Sequence, residues 1–221
     1  DQALNDGRTA LIVACQEGHG KCVQLLLGAH AAVGQADNNG GTALIVACSQ
    51  GHGEIVMLLL GAHAAVDQAD NNGHTALTIA CQEGHSECAQ LLLGAHAAVD
   101  QACNDGCTAL YIACHRGQSE CVQLLLGAHA AVDQASNKGR TALYIACHQG
   151  HSECAQLLLG AHAAIDQADN NGTTALLIAC SQGHSECVQL LLGAHAAVDQ
   201  ADNEGIMALM VACSKGHSEC V

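Results

Sequence analysis

The chain of 221 residues has no tryptophan and no phenylalanine, and Tyr111 and Tyr144 are its only tyrosines. Any core must therefore be built from Leu, Ala, Val, Ile and Cys. Basic residues are almost as scarce: six Lys and Arg against 21 Asp and Glu leave a formal charge of −15. Binding to duplex nucleic acid needs clustered cations that displace counterions from phosphates, so nucleic acid and anionic membrane are excluded as general partners. No run approaches the roughly 18 to 20 continuous apolar residues that a membrane-spanning helix needs. The N-terminus likewise lacks a basic flank followed by an apolar stretch, so no targeting signal is visible.

What is present is repetition. Asp-Gln-Ala opens the chain at Asp1 and returns, led by Asp or Gly, at positions 34, 67, 100, 133, 166 and 199. A fixed period of 33 residues defines a solenoid, in which each repeat buries its apolar face against its neighbours. The expected organisation is one continuous array over 1–221: six whole repeats (1–33, 34–66, 67–99, 100–132, 133–165, 166–198) and a partial seventh (199–221). Because the pattern is already running at Asp1 and stops early in a repeat, the array is expected to be a segment of a longer stack.

Repeat 133–165 shows the local logic. Asn137-Lys138-Gly139 is turn chemistry, since Asn and Gly tolerate left-handed backbone. Thr141 is placed to cap a helix whose apolar stripe is Leu143, Ala146 and Cys147, and Gly150 ends that helix. Ser152 is expected to cap a second helix carrying Cys154, Leu157 and Leu158 inward, with Gly160 as its stop. The unit is thus helix, turn, helix, extended loop.

Fifteen cysteines would suggest a disulfide scaffold in a small secreted chain, but here thirteen of them recur in two slots. One slot is Cys15, Cys48, Cys81, Cys114, Cys147, Cys180 and Cys213. The other is Cys22, Cys88, Cys121, Cys154, Cys187 and Cys220, with Ile55 standing in once. A slot that accepts Ile is an apolar core slot, so these are expected to be buried small hydrophobes of a reducing compartment, cytoplasm or nucleus. Cys103 and Cys107 flank a turn and are expected to be free surface thiols. The recurring Cys81-x3-His85-x2-Cys88 spacing suggests zinc, yet Gln118 and Ile55 break it without breaking the repeat, and no metal is expected. His and Cys are spread evenly over the repeats, whereas a catalytic site is singular. With no phosphate loop, catalytic triad pattern or nucleophile elbow, the chain is read as no enzyme and as needing no cofactor.

Gly139-x-Thr141-Ala142-Leu143-x-x-Ala146-Cys147-x-x-Gly150-His151, followed by Leu157-Leu158 and Ala161, resembles the ankyrin repeat, and the resemblance covers the whole chain in seven in-phase copies. It departs in two places: Thr-Ala-Leu-x replaces Thr-Pro-Leu-His, and His30, His63, His96, His129, His162 and His195 stand where Gly is usual after the second helix. The resemblance implies an all-α solenoid with turn or hairpin loops between its helix pairs. It further implies a scaffold that binds protein through a concave face lined by turn tips and first helices.

The copies differ most at their fourth, sixth, eighth, twelfth, sixteenth and seventeenth positions, in the turn and on the first helix. The candidate binding residues are accordingly Tyr111, His115, Arg116, Lys138, Arg140, Tyr144 and His148, joined by His74 and Thr78. Arg116, Lys138 and Arg140 are half of all the basic residues, and Tyr and Arg are favoured where binding energy concentrates. The expected partner is a protein or peptide, acidic or phosphorylated. The alternative is a structural protein whose uncapped repeats stack end to end into filaments through a contact that does not close.

Overall fold

The computed structural model describes residues 2–220. Among them are thirteen α-helices, one 3₁₀ turn and no strand, with a single isolated bridge between Ala3 and Thr9. They fall into two compact units, Asp1–Asn104 and Asp105–Val221.

The first unit holds α1 (Ala10–Gln16), α2 (Gly20–Gly28), α3 (Ala43–Ser49), α4 (Gly53–Gly61), α5 (Ala76–Glu83) and α6 (Ser86–Gly94). Each odd-numbered helix packs on the next odd one, each even on the next even, and each pair packs on itself. The second unit follows the same plan with α7 (Ala109–Arg116), α8 (Ser119–Gly127), α9 (Ala142–Gln149), α10 (Ser152–Gly160), α11 (Ala175–Gln182), α12 (Ser185–Gly193) and α13 (Ala208–Lys215), closed by the 3₁₀ turn Ser218–Cys220. The core runs between the rows, through fully buried Leu44, Leu59, Leu77 and Leu92 in one unit and Leu110, Leu125, Leu143, Leu158 and Leu191 in the other. Burying one such side chain stabilises by about 1.5 to 3 kcal/mol.

The short first helices start where the sequence says they should. The Thr141 hydroxyl accepts a hydrogen bond from the Tyr144 N–H at 3.2 Å, and Thr9, Thr42, Thr75, Thr108 and Thr174 repeat the contact. Met207 occupies that place before α13 and supplies no cap. Gly150 ends α9 in left-handed conformation at φ 77°, where a Cβ would lie 2.7 Å from the His184 ring. The histidine ring of the following repeat occupies the space over that turn.

The second helices correct one expectation. Their cap position is the preceding residue, His151 before α10, without a side-chain bond, and Ser152 is already helical. Its N–H is held by the Gly150 carbonyl at 3.0 Å, and its hydroxyl donates to Glu186 of the next repeat at 2.8 Å. After each second helix, His30, His63, His96, His129, His162 and His195 adopt φ of 61° to 66°. Histidine thus takes the left-handed position where glycine is usual.

Turn tips are tied repeat to repeat by asparagine. Asn38, Asn71 and Asn104 each donate a side-chain hydrogen bond to the main-chain carbonyl 33 residues earlier, as do Asn170 and Asn203 in the second unit. The fifteen cysteines, all within the described residues, form no disulfide. Two of the slot cysteines, Cys22 and Cys213, are exposed, contrary to the expectation that both slots are buried. Cys103 is buried, not on the surface as expected, and only Cys107 of that turn is partly open.

Candidate interaction surface

In the second unit, Tyr111, His115 and Arg116 lie on α7, Lys138 and Arg140 in the turn before α9, and Tyr144 and His148 on α9. Capped helices one repeat apart bring Tyr111, Tyr144 and His148 within reach of Arg140. Its Nε donates to Asp169 Oδ2 at 3.4 Å, and its guanidinium carbon sits 5.2 Å from the centre of the Tyr144 ring. That ring stacks on His148, with centroids 6.3 Å apart and planes within 10°. Tyr144 itself is buried, so its contribution is to seat Arg140 and His148 from beneath.

Asp169 was not foreseen as part of this group. Its Oδ1 accepts the Asn171 and Thr173 N–H groups at 2.9 and 3.0 Å, leaving Oδ2 for Arg140. The same two-bond lock is made by Asp37, Asp70 and Asp202 in their turns. The fourth position of the repeat therefore has an internal duty wherever it is Asp, and it is Ser136 in the turn that carries Arg140. An arginine at the eighth position, no acid at the fourth or sixth, and an Asp at the fourth of the next repeat is the signal that marks this pair.

Titration follows the crowding. Burial, with Cys107 adding to it, pushes the Tyr111 phenol up to about 12, against the opposing pull of Arg140 and of a hydrogen bond with Ser136. Tyr144 is also raised by burial. His115 is pushed down by burial and by Arg116 and His151, and His148 by burial and by Arg140, His115 and His184. Both imidazoles are thereby biased toward the neutral form. The buried Nδ1 of His148 has no hydrogen-bond partner, while its carbonyl lies 3.2 Å from His184 Nε2.

Arg116 and Lys138 are exposed, and Tyr111, His115 and Arg140 are partly so. His74 and Thr78 belong to the first unit. His74 Nδ1 lies 3.6 Å from Asp70. Thr78 is 1% exposed and its hydroxyl donates to the Thr75 carbonyl at 2.7 Å, so it offers a partner no side-chain surface. Among the described residues no group of three or more His, Cys, Asp or Glu side chains could hold a metal ion, and no helix is long and apolar enough to cross a membrane.

Stacked helix pairs joined by tied turns define a class, the helical-repeat solenoids. The sequence profile for ankyrin repeats in three copies matches residues 24–102, 96–169 and 158–221, and that for the single ankyrin repeat matches 6–38. The chain belongs to the ankyrin-repeat family. Two solved structures illustrate the likeness. The human ASB11 ankyrin repeat domain is 27% identical, with a TM-score of 0.85 over 93% of this chain and 92% of its own. The ankyrin repeat domain of Bcl-3, a member of the IkappaB protein family, is 28% identical, with a TM-score of 0.84 over 98% and 99%. No curated protein sequence matches the chain. Domains of this family generally mediate protein–protein interaction.

Proposed function

We propose that the chain is a non-enzymatic intracellular scaffold whose second unit docks an acidic or phosphorylated peptide segment on the concave side formed by turn tips and first helices. The observation that carries this reading is that Arg116, Lys138 and Arg140, half of the basic residues, fall with both tyrosines in the stretch 111–148 of a chain of net charge −15. Arg140 is held in a fixed pose between Asp169 and the Tyr144 ring, and a planar guanidinium so oriented suits a carboxylate or phosphate. Exposed Arg116 and Lys138 supply the long-range attraction, which salt screens. His74 holds the eighth position of its repeat in the first unit, as Arg140 does in the second.

Titrating the chain with acidic peptides, with and without phosphate, by calorimetry tests the reading. Arg116→Ala with Lys138→Ala is expected to weaken binding at least tenfold and to flatten its salt dependence. Binding that survives both substitutions and 0.5 M salt places the partner elsewhere.

A further inference from the structure

The sixth residue of the repeat is asparagine in three turns, Asn39, Asn72 and Asn171, and in each it stands directly before glycine. The other repeats hold Asp6, Asp105, Lys138 and Glu204 there, so the scaffold does not require the amide. The glycine, by contrast, is obligatory. Gly40, Gly73 and Gly172 have φ of 80° to 83°, and a Cβ on Gly40 would lie 2.7 Å from the Asn71 nitrogen. All three asparagines are exposed. A main-chain nitrogen with no side chain beside it is the least hindered nucleophile that a chain can turn on the amide carbon before it.

We propose that Asn39, Asn72 and Asn171 are modification sites at which the chain loses ammonia, and that the rearranged product unties its turn from the repeat that follows. The Gly40 nitrogen attacks Asn39 Cγ. The new N–Cγ bond closes a five-membered imide while the Cγ–Nδ2 bond breaks, and the departing ammonia carries off the glycine proton. Water, the only co-reactant, then adds to one of the two imide carbonyls. Addition at Cγ leaves aspartate, the residue that Asp6 and Asp105 already supply at this position. Addition at the former main-chain carbonyl leaves isoaspartate, whose chain runs through Cβ and Cγ and is one atom longer. Either product adds a negative charge to the turn tip.

The two products differ in what they do to the stack. The Asn39, Asn72 and Asn171 carbonyls accept the N–H groups of Asn71, Asn104 and Asn203 at 3.0, 2.9 and 3.0 Å, and the carbonyls of Asp6 and Asp105 do the same for Asn38 and Asn137 at 3.0 and 2.9 Å. Aspartate therefore keeps the tie, whereas isoaspartate moves the accepting carbonyl out of the main chain. The same turns set the rate. Gly40, Gly73 and Gly172 donate their N–H groups to the carbonyls of Asp37, Asp70 and Asp169 at 3.0, 3.0 and 2.9 Å. The Oδ1 atoms of those aspartates hold the Asn39, Asn72 and Asn171 N–H groups at 2.9 Å. The glycine nitrogen is free to attack only when its turn opens, a local event. Of the three aspartates Asp169 alone is buried, and its other oxygen carries Arg140, so the turn of Asn171 opens least.

The test ages the whole folded chain in heavy-oxygen water at mildly alkaline pH and follows it by peptide mapping with mass spectrometry, fragmentation separating isoaspartate from aspartate. Label is expected at Asn39 and Asn72 first and at Asn171 last, while Asn38, Asn71 and Asn170, each followed by asparagine, stay unlabelled. Arg140→Gln should speed conversion at Asn171 by roughly two- to tenfold, the factor that the net contribution of one hydrogen bond supplies, and leave Asn39 as it was. Should that variant not fold, raised salt, which weakens the partly exposed Arg140–Asp169 pair, serves the same purpose. The urea midpoint of the aged protein should fall, whereas Asn39→Asp leaves it in place. Conversion at the three sites no faster than at Asn38, Asn71 and Asn170, or equal rates in the folded chain and in urea, overturns the proposal.

Discussion

Arg8 and Arg140 occupy the same position of the repeat, and their surroundings differ completely. In the first turn Arg8 folds onto its own turn: its Nε donates to Asp6 at 2.7 Å and a terminal nitrogen donates to Gln16 at 2.9 Å. The Arg8 N–H and guanidinium hold the exposed Asp6 carboxyl below its usual range. In the fifth repeat Lys138 stands at the position of Asp6, so Arg140 finds no local carboxylate and reaches instead to buried Asp169 one repeat on. The scaffold is indifferent to which occurs. A single turn residue decides whether an arginine closes on itself or joins two repeats.

Breaking the longer-range member should cost most. Asp169→Ala leaves Arg140 and two backbone N–H groups without their acceptor and is expected to destabilise by about 2 to 3 kcal/mol, allowing for the partial exposure of Arg140. Asp6→Ala should leave the urea midpoint unchanged. Equal losses at both sites would erase the distinction. Arg140→Lys keeps the charge but loses the flat contact on Tyr144, an expected loss of about 0.5 to 1 kcal/mol by the same measurement. Lys138→Asp offers Arg140 the neighbour that Arg8 already has. A double-mutant cycle should then show the Arg140–Asp169 coupling falling by the few tenths of a kcal/mol that exposed pairs typically supply.

The smallest effect is that of pH. His115 and His148 are depressed in the folded state by burial and nearby cations, so the unfolded chain binds their protons more readily. The stability tied to the neutral rings is complete above about pH 6.5, the ordinary imidazole value, and is lost as pH falls toward the depressed values. His148→Gln should flatten the midpoint-against-pH curve below 6.5. A curve of unchanged slope assigns the effect to other groups.

Much of this was legible in the chain. The period, the capping threonines and the glycine stops depend on contacts within a few residues or one repeat away, and thirty-three-residue periodicity exposes both kinds. Asp169 was not, because its role is set by what the preceding turn lacks. Ser136 and Lys138 look like ordinary turn residues until Arg140 is seen with nothing beside it. Thr78 was misjudged for a related reason: a variable position on a first helix reads as exposed, yet its hydroxyl is satisfied by the Thr75 carbonyl inside the same turn. The cysteine slots were read as core, and eleven of the thirteen residues are buried there, Cys22 and Cys213 being exposed.

The asparagine ties carry a mechanical consequence. Asn38, Asn71 and Asn104, and likewise Asn170 and Asn203, each bond only the turn immediately before them. A force pulling on one end of either unit therefore meets these links one at a time. Each repeat released lengthens the chain by about 110 to 120 Å at full extension, so yielding under load proceeds as even steps, a rung at a time.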